Sequence, residues 1–218
     1  MENGMVAISM LFVTIVYECI SYALLPDFTF NIYEFIGTWT GLVTVWLCRT
    51  ENILCWPWGV VSAATLGYFF LGIGLPGQQW LNWGYFLIIQ FWAWPHWAFG
   101  GEDKTVLSVT TLTTGGRILT LLSIVLGSGL VYLAIDLLVP GSQYPLLDAV
   151  VVASSVVAQY LLGRKNVESW ILWLGPVNLL SIILFYNAGA YTVMALYVAF
   201  LIHACFALKS WYMSVERA

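Results

Sequence analysis

Eight long apolar segments, separated by short breaks, occupy nearly the whole of this 218-residue chain. The segments are Met5–Leu24, Tyr33–Cys48, Asn52–Ile73, Gln79–Ala98, Ile118–Val139, Leu146–Gly163, Val167–Asn187 and Ala190–Tyr212. A helix needs about 20 apolar residues to cross a bilayer. The runs are too long and too uniform for the alternating strands of a membrane barrel. The pattern therefore predicts an all-α polytopic membrane protein with seven or eight spans.

The composition excludes the other broad classes of protein. Only 8% of the residues are charged and 61% are hydrophobic, whereas soluble domains carry roughly 25% charge. A soluble domain, a disordered chain, a collagen and a nucleic-acid binder are all excluded on this ground. The four cysteines are scattered without a CxxC pattern, so we expect packing residues and no metal site. No cofactor is predicted.

The first apolar segment has two open interpretations. It contains Glu18 and the polar pair Ser21-Tyr22, and it ends at Pro26. It either spans the membrane or lies in the interface as an amphipathic helix. It lacks the basic region and the A-x-A cleavage site of a signal peptide, so we expect no such peptide here.

The basic residues indicate one topology. They fall after every second span counted from the Tyr33 helix, and the alternate connections contain no Lys or Arg. The cations are Arg49, Lys104, Arg117, Arg164, Lys165, Lys209 and Arg217. Because cytoplasmic loops of membrane proteins are enriched in Lys and Arg, all of these positions are expected inside. The C-terminus is then cytoplasmic.

Two three-helix stretches resemble each other. Glu51, Trp56, Val60 and Gly72 recur as Glu168, Trp173, Val177 and Gly189 at a constant offset. After three extra residues in the first copy, Phe86-Leu87-Ile88, Ala93 and Trp97 recur as Phe200-Leu201-Ile202, Ala207 and Trp211. One helix between the copies makes them parallel, a transporter design with the substrate at the repeat interface. The predicted parts are an N-terminal helix (residues 1–32), a first repeat (33–115), a linker helix (116–145) and a second repeat (146–218).

Polar residues at membrane depth are the candidate substrate contacts in the first repeat. In the segment Gln79–Ala98, one predicted face carries Trp80, Trp83, Leu87, Gln90, Trp94 and Trp97. Trp80 and Trp97 lie near the ends, where tryptophans commonly form interfacial belts. Gln90 lies mid-helix, and its amide needs a partner, either another helix or a ligand. In the short first helix of this repeat, Tyr33–Cys48, Trp46 and Thr44 lie toward the cytoplasmic end, although small hydroxyl residues in membrane helices usually serve packing.

The second repeat has its own candidates. Asn178 follows Pro176, which removes a backbone donor and should kink or open the helix. Trp170 and Trp173 stand one turn apart, and Tyr197 corresponds to Trp83 in the first copy. For each of these residues, helix packing or an interfacial belt is the alternative to a substrate contact.

The sequence contains no catalytic or pump motif. There is no HExxH, GxSxG or P-loop pattern, so no catalytic residues, no metal site and no ATP-driven step are predicted. The acids fall mostly near helix ends, and His203 has no titratable neighbour at its depth, so no proton relay crosses the membrane. Passive transport is the expected mechanism.

The run from Arg164 to Trp173, with the sequence RKNVESWILW, resembles the signature of the PnuC family of bacterial vitamin B3 precursor transporters. Asn178, the Lys209-Ser210-Trp211 ending, and the stretch Glu34 to Gly41 extend the resemblance across residues 33–212. It implies a SWEET-like plan of three helices, one linker and three helices. It also implies facilitated diffusion of nicotinamide riboside, trapping by a cytoplasmic kinase, a homotrimer and a location in the bacterial inner membrane.

The resemblance and the polar residues together give a set of candidate contacts. The first choices are Gln90, Trp94, Asn178, Trp173, Tyr197 and Trp46, and the second choices are Trp83, Trp170 and Thr44. Family members often carry Gln near the position of Trp83 and Asn near that of Gln90, so this chain departs from the pattern. A thiamine-type or sugar substrate on the same fold therefore remains open. A membrane enzyme or receptor subunit is the alternative of a different class.

Overall fold

The chain folds into helices at all eight predicted positions. The computed structural model describes residues 2–24, 29–72, 76–138, 140, 144–187 and 191–216. Within these ranges the helices are α1 (Glu2–Leu24), α2 (Ile32–Arg49), α3 (Cys55–Gly72), α4 (residues 76–99), α5 (Thr114–Leu138), α6 (Pro145–Gly163), α7 (Glu168–Asn187) and α8 (Tyr191–Val215). The prediction of an all-α fold is confirmed. Pro26, the breaks near residues 73–75 and 188–190, and Arg217 lie outside the described residues.

Four of the described helices are long and apolar enough to cross a membrane by length and hydropathy alone. They are Thr114–Leu138, Pro145–Gly163, Glu168–Asn187 and Met194–Val215. The helices α2 and α3 are 18 residues long, the minimum length for a span, and their tryptophans, threonines and glycines lower their hydropathy. Their crossing of the membrane stays a prediction.

The chain divides into two compact units, Met1–Phe91 and Trp92–Ala218. The division falls inside α4, so the first unit holds α1 to α3 with the beginning of α4, and the second holds the remainder. The predicted boundaries of the repeats and of the linker helix stay predictions.

In the first unit, α2 and α3 pack at short range. Asn31 caps α2, where its side-chain oxygen accepts from the Tyr33 and Glu34 backbone N–H groups at 2.9 and 3.3 Å. The Ser62 hydroxyl donates to the Gly37 carbonyl at 2.9 Å. Gly37 lies against Leu66, where a Cβ at Gly37 would come within 2.6 Å of the side chain. A glycine is needed there for the two helices to approach.

The helix α1 turns its polar residues inward and its apolar residues outward. Thr14, Glu18 and Ser21 are buried, whereas Ile8 and Phe12 are exposed. Residues 14, 18 and 21 share one helical face, and α1 packs on α2. A helix lying in the membrane interface would turn its polar face to water. The observed arrangement favours the spanning alternative for α1.

In the second unit, the segment between α4 and α5 is fastened to the turn between α6 and α7. Thr110 N–H donates to the Lys165 carbonyl at 3.0 Å, and Val167 N–H donates to the Thr110 carbonyl at 2.9 Å. The Asn166 side-chain amide donates to the Thr110 hydroxyl at 3.0 Å. The Leu112 N–H donates to the Glu168 carboxylate at 3.0 Å. These bonds tie the start of α5 to α7.

The turns that follow α2 and α6 have the same hydrogen bonds. Asn52 N–H donates to the Leu47 carbonyl and Asn166 N–H to the Leu161 carbonyl, each at 2.9 Å. Between them, Glu51 and Lys165 both have a positive φ, of 57° and 53°. This pair of features is the helix-ending Schellman motif.

Superimposing the two turns in the sequence aligns Glu51 with Lys165 and Trp56 with Trp170, at an offset of 114 residues. The expected match sets Glu51 against Glu168 at an offset of 117, and the alignment of the two predicted repeats stays a prediction. Apolar segments match themselves at several offsets, and the hydrogen bonds of the turn distinguish between them.

Candidate functional site

A π-helical turn lies in the middle of α7, at Trp173–Val177, and it contains Pro176. Proline has no N–H to donate, and the N–H of Asn178, two residues further on, bonds the Trp173 carbonyl five residues back. The expected disruption at Pro176 thus takes the form of one widened turn rather than a break. Such π-turns are frequent at functional sites.

Asn178 begins the α-helical part of α7 that follows this turn. Its side chain is only 1% exposed, and its Oδ1 atom has no hydrogen-bond partner within the described part of the chain. A buried acceptor left without a partner costs about 1–3 kcal/mol. The arrangement therefore leaves an acceptor available to a ligand that carries a donor.

Tyr197 of α8 faces the same stretch of α7. Its ring lies 5.2 Å from the Phe185 ring, and its hydroxyl lies beside that of Ser181. Ser181 is one helical turn after Asn178, so the two polar groups share a face of α7. Sequence analysis did not single out Ser181, because one serine in a membrane helix usually serves packing.

Trp170 belongs to an aromatic cluster at the start of α7. Its ring meets the Trp211 ring edge-on at 5.6 Å, and the His203 ring lies 6.3 Å away. Trp170 is buried, whereas Trp173, one turn later, is half-buried. Of this WxxW pair, Trp170 is thus a core residue and Trp173 is the partly accessible one.

A second π-helical turn lies in α4, at Leu81–Phe86. It inserts an extra residue into the helix, and the positions before it rotate relative to those after it. Trp80 is accordingly 70% exposed, whereas Trp97 is 1% exposed and its indole N–H donates to the Leu162 carbonyl. The expected single face from Trp80 to Trp97 is wrong, and Trp97 is a core residue rather than part of an interfacial belt.

Gln90 of α4 is buried in the first unit, with 5% of its surface exposed. Its Oε1 atom finds no hydrogen-bond partner among the residues that the structure describes. Its amide lies against Gly59 of α3, where an added Cβ would come within 2.6 Å of Nε2. The mid-helix amide that the sequence singled out is therefore buried and has a free acceptor.

Three of the candidates make contacts that serve the fold. The Trp83 indole donates to the Ala64 carbonyl of α3 at 2.9 Å, and the Thr44 hydroxyl donates to the Thr40 carbonyl at 2.8 Å. The Arg49 guanidinium lies 5.4 Å from the ring centre of Trp46, so one face of that ring already carries a cation. Trp94 lies at the surface of the chain.

Gly59 is the neighbour that sequence analysis missed. An isolated glycine inside a helical segment often marks a close approach, and Trp58-Gly59-Val60 is such a place in α3. The signal was present, but the sequence does not say which side chain approaches.

Both buried amides can accept a hydrogen bond, and neither carries charge. A ligand with hydroxyl or amide donors would satisfy them. Within the described ranges, no group of three His, Cys, Asp or Glu residues is placed to hold a metal ion. Each of these amides offers a hydrogen bond, rather than a charge, to a ligand.

Comparison with known proteins identifies the relatives of this chain. Residues 31–213 match the family described as nicotinamide mononucleotide transporter. The nicotinamide riboside transporter PnuC of Escherichia coli (strain K12) is 23% identical over 208 residues, covering 84% of this chain and 86% of its own. The protein of that name from Neisseria mucosa is 27% identical over 189 residues, covering 82% of this chain and 71% of its own.

One solved structure shows the same fold. A crystal structure of the vitamin B3 transporter PnuC matches with a TM-score of 0.77 at 24% sequence identity, covering 99% of this chain and 92% of that one.

Proposed function

Because this chain belongs to the nicotinamide mononucleotide transporter family, it is a membrane transporter and not an enzyme, and we propose that it carries nicotinamide riboside. Family membership carries the proposal. Curated relatives that match most of the chain are named as transporters of that riboside.

The buried amides support the riboside as the substrate. Gln90 and Asn178 each present an oxygen that needs a donor, and the riboside supplies ribose hydroxyls and a carboxamide NH2. A mononucleotide adds a phosphate, which at neutral pH brings mainly acceptors and negative charge. The mononucleotide still carries the carboxamide and two ribose hydroxyls, so its donors are similar, but its negative charge would be costly to bury beside uncharged amides, and this cost favours the riboside.

Aromatic residues on the same helices as these amides suit a cationic ring. Aromatic faces attract a cation by about 0.5–2 kcal/mol, more when the pair is desolvated. The proposed contacts are Gln90 in the first unit and, in the second unit, Trp94, Trp173, Asn178 and Tyr197. Trp46, Trp83, Trp170 and Thr44 are assigned to the fold, on the contacts described above.

We also propose facilitated diffusion without ion coupling. The buried polar side chains of α6 and of α7 beyond its first turn are neutral; in the described residues they are Ser154, Ser155, Gln159, Asn178 and Ser181. The buried carboxylic acids Glu18 and Glu34 lie in α1 and α2 of the first unit. A proton-driven carrier would need titratable groups at this depth. Net uptake would then depend on phosphorylation of the riboside by a cytoplasmic kinase.

Three further proposals rest on the resemblance to the PnuC family and on the positions of the cations. The protein lies in the bacterial inner membrane with a cytoplasmic C-terminus, its helices form two parallel repeats around a linker helix, and three copies assemble. Activity of reporter enzymes fused to the C-terminus would test the orientation. The mass of the detergent-solubilised complex would test the trimer.

The decisive experiment is uptake of labelled nicotinamide riboside into proteoliposomes without any ion gradient. We expect uptake that saturates, equilibrates and exceeds that of empty liposomes. Uptake only under an imposed H⁺ or Na⁺ gradient would refute the passive mechanism, and no uptake would refute the substrate.

Competing unlabelled compounds would settle the alternative substrates. Riboside should compete in the micromolar to millimolar range, and thiamine, glucose and the mononucleotide should compete less well. Stronger competition by thiamine or glucose would favour the alternative of another substrate on the same fold.

A further inference from the structure

Gly59 and Gln90 form a close contact in the first unit that leaves no room for a side chain at position 59. A Cβ built on Gly59 would lie 2.6 Å from Nε2, 2.8 Å from Cδ and 2.8 Å from Oε1 of Gln90. All three distances are shorter than real Cβ contacts, which almost never fall below 3.0 Å. The whole amide group therefore lies against the backbone of α3, in space that any other residue at position 59 would occupy.

The backbone conformation does not require a glycine at this position. Gly59 lies within α3 and has no positive φ, so alanine would be accepted by the backbone. Glycine in a helix is about 1 kcal/mol less favourable than alanine. Glycine at position 59 therefore lowers the helical stability of α3, and it leaves room for the Gln90 amide.

Another glycine of α3, Gly67, shows what packing alone looks like. Gly67 makes room for the Trp83 indole, whose N–H is satisfied by the Ala64 carbonyl. At Gly59 the approaching group is polar, and its oxygen lacks a partner within the described ranges. An apolar side chain would fill the same space without the cost of burying an unpaired acceptor.

At the corresponding positions of the predicted second repeat, a large side chain replaces the glycine and a small one replaces the glutamine. At the offset of 114 residues that the α2–α3 and α6–α7 turns define, Gly59 corresponds to Trp173 and Gln90 corresponds to Ala204. A large residue therefore comes from the second helix of one repeat and from the third helix of the other. In this alignment, the small residue at position 59 and the large residue at position 90 are replaced by a large and a small residue, respectively.

We propose that Gly59 is a positioning residue, which holds the Gln90 amide so that its oxygen faces a donor on the substrate. This inference rests on the proposed function, because it concerns the placement of a proposed substrate contact. A methyl group at position 59 would displace the amide by several tenths of an ångström or more. The substrate would then bind less tightly, and its translocation would be less affected.

The test is a double-mutant cycle on riboside uptake by proteoliposomes, with KM and the maximal rate measured for each variant. We expect Gly59→Ala to raise KM about tenfold while the maximal rate changes less than twofold. Gln90→Ala should have a similar effect, and the double variant should be no worse than Gln90→Ala alone, since alanine at position 90 leaves room for the new methyl group.

Two further variants keep the test decisive. Gly72→Ala, at the end of the same helix, is the matched control, because an added Cβ there meets nothing within 4 Å; its KM should equal that of the unmodified protein. Gln90→Asn keeps the amide but draws it back from Gly59 by one methylene group. The shorter side chain adds no atoms that could crowd its neighbours. This variant should raise KM as Gly59→Ala does.

The outcomes separate this inference from the proposed function. An unchanged KM in Gly59→Ala or Gln90→Asn would overturn the positioning role while riboside transport stands. Effects that multiply in the double variant would also overturn it. Absence of riboside uptake by the unmodified protein would overturn the proposed function, and the role of Gly59 with it.

Discussion

Arg117 and Glu168 form an ion pair in which only the acid is buried. The Nη2 and Oε1 atoms are 3.0 Å apart, and the side chains are 57% and 10% exposed. A second bond runs from Arg117 Nε to the same oxygen at 3.1 Å, while the other carboxylate oxygen accepts from Leu112 N–H. The pair joins the start of α5 to the start of α7.

Arg117→Ala should lower the stability of the protein by about 1–3 kcal/mol, because it leaves a buried carboxylate with fewer donors. The midpoint of thermal unfolding in detergent would report the change. In an Arg117→Ala/Glu168→Gln double variant, most of the loss should be recovered, since a neutral amide costs less to bury. An unfolding midpoint unchanged by Arg117→Ala would show that the pair contributes nothing.

Asn178→Leu should stabilise the protein or leave its stability unchanged, and it should weaken riboside uptake. Leucine has a similar shape, and it removes a buried acceptor that costs about 1–3 kcal/mol when unpaired. A lost substrate bond of about 1.4 kcal/mol corresponds to a tenfold rise in KM. Unfolding midpoints and uptake kinetics measure the two effects.

Ser154→Ala is the control for Asn178, since Ser154 is also buried with an oxygen that lacks a partner among the described residues. Its KM should match that of the unmodified protein. A destabilised Asn178→Leu variant with normal KM would mean that Asn178 serves the fold.

Trp83→Phe should cost about 0.5–1.5 kcal/mol of stability through the lost bond to the Ala64 carbonyl, and it should leave KM for riboside within twofold. Thermal unfolding and uptake would be compared on the same preparation. A rise in KM without loss of stability would show that Trp83 contacts the substrate rather than stabilising the fold.

Glycine should have opposite effects at the two corresponding turns. Glu51→Gly removes a non-glycine residue from a left-handed conformation, which costs about 1–2 kcal/mol per residue, so the unfolding midpoint should rise. Lys165→Gly should lower it, because the Lys165 side chain is buried and its ammonium group lies 4.7 Å from the centre of the Trp97 ring. Equal shifts at both positions would contradict this account.

The buried depth of the two amides could be predicted from the sequence. Gln90 and Asn178 each lie mid-helix in a long apolar segment, and a side-chain amide there must be buried or meet a partner. The same pattern did not indicate that Gly59 receives the Gln90 amide. Helical periodicity relates residues on one helix, and this contact joins two.

The prediction that Trp80 and Trp97 share one face of α4 is wrong for a specific physical reason. The spacing of Trp80, Trp83, Gln90 and Trp97 assumes uninterrupted α-helical turns, and the π-turn at Leu81–Phe86 adds a residue. Trp80 therefore points outward while Trp97 enters the core. A shift of one backbone hydrogen bond leaves no trace in the hydrophobic pattern.

Sequence alone was sufficient for the helical class, the positions of all eight helices and the transporter family, because membrane burial demands long apolar segments and the Arg164–Trp173 run is distinctive. The tertiary structure decided which polar atoms of the described residues are left without partners, which tryptophans pack inside, and that Glu51 and Lys165 take the same place in two helix-ending turns. These depend on hydrogen bonds and contacts between segments distant in the chain. Such contacts follow from how close two backbones come, as Gly59 and Gln90 illustrate.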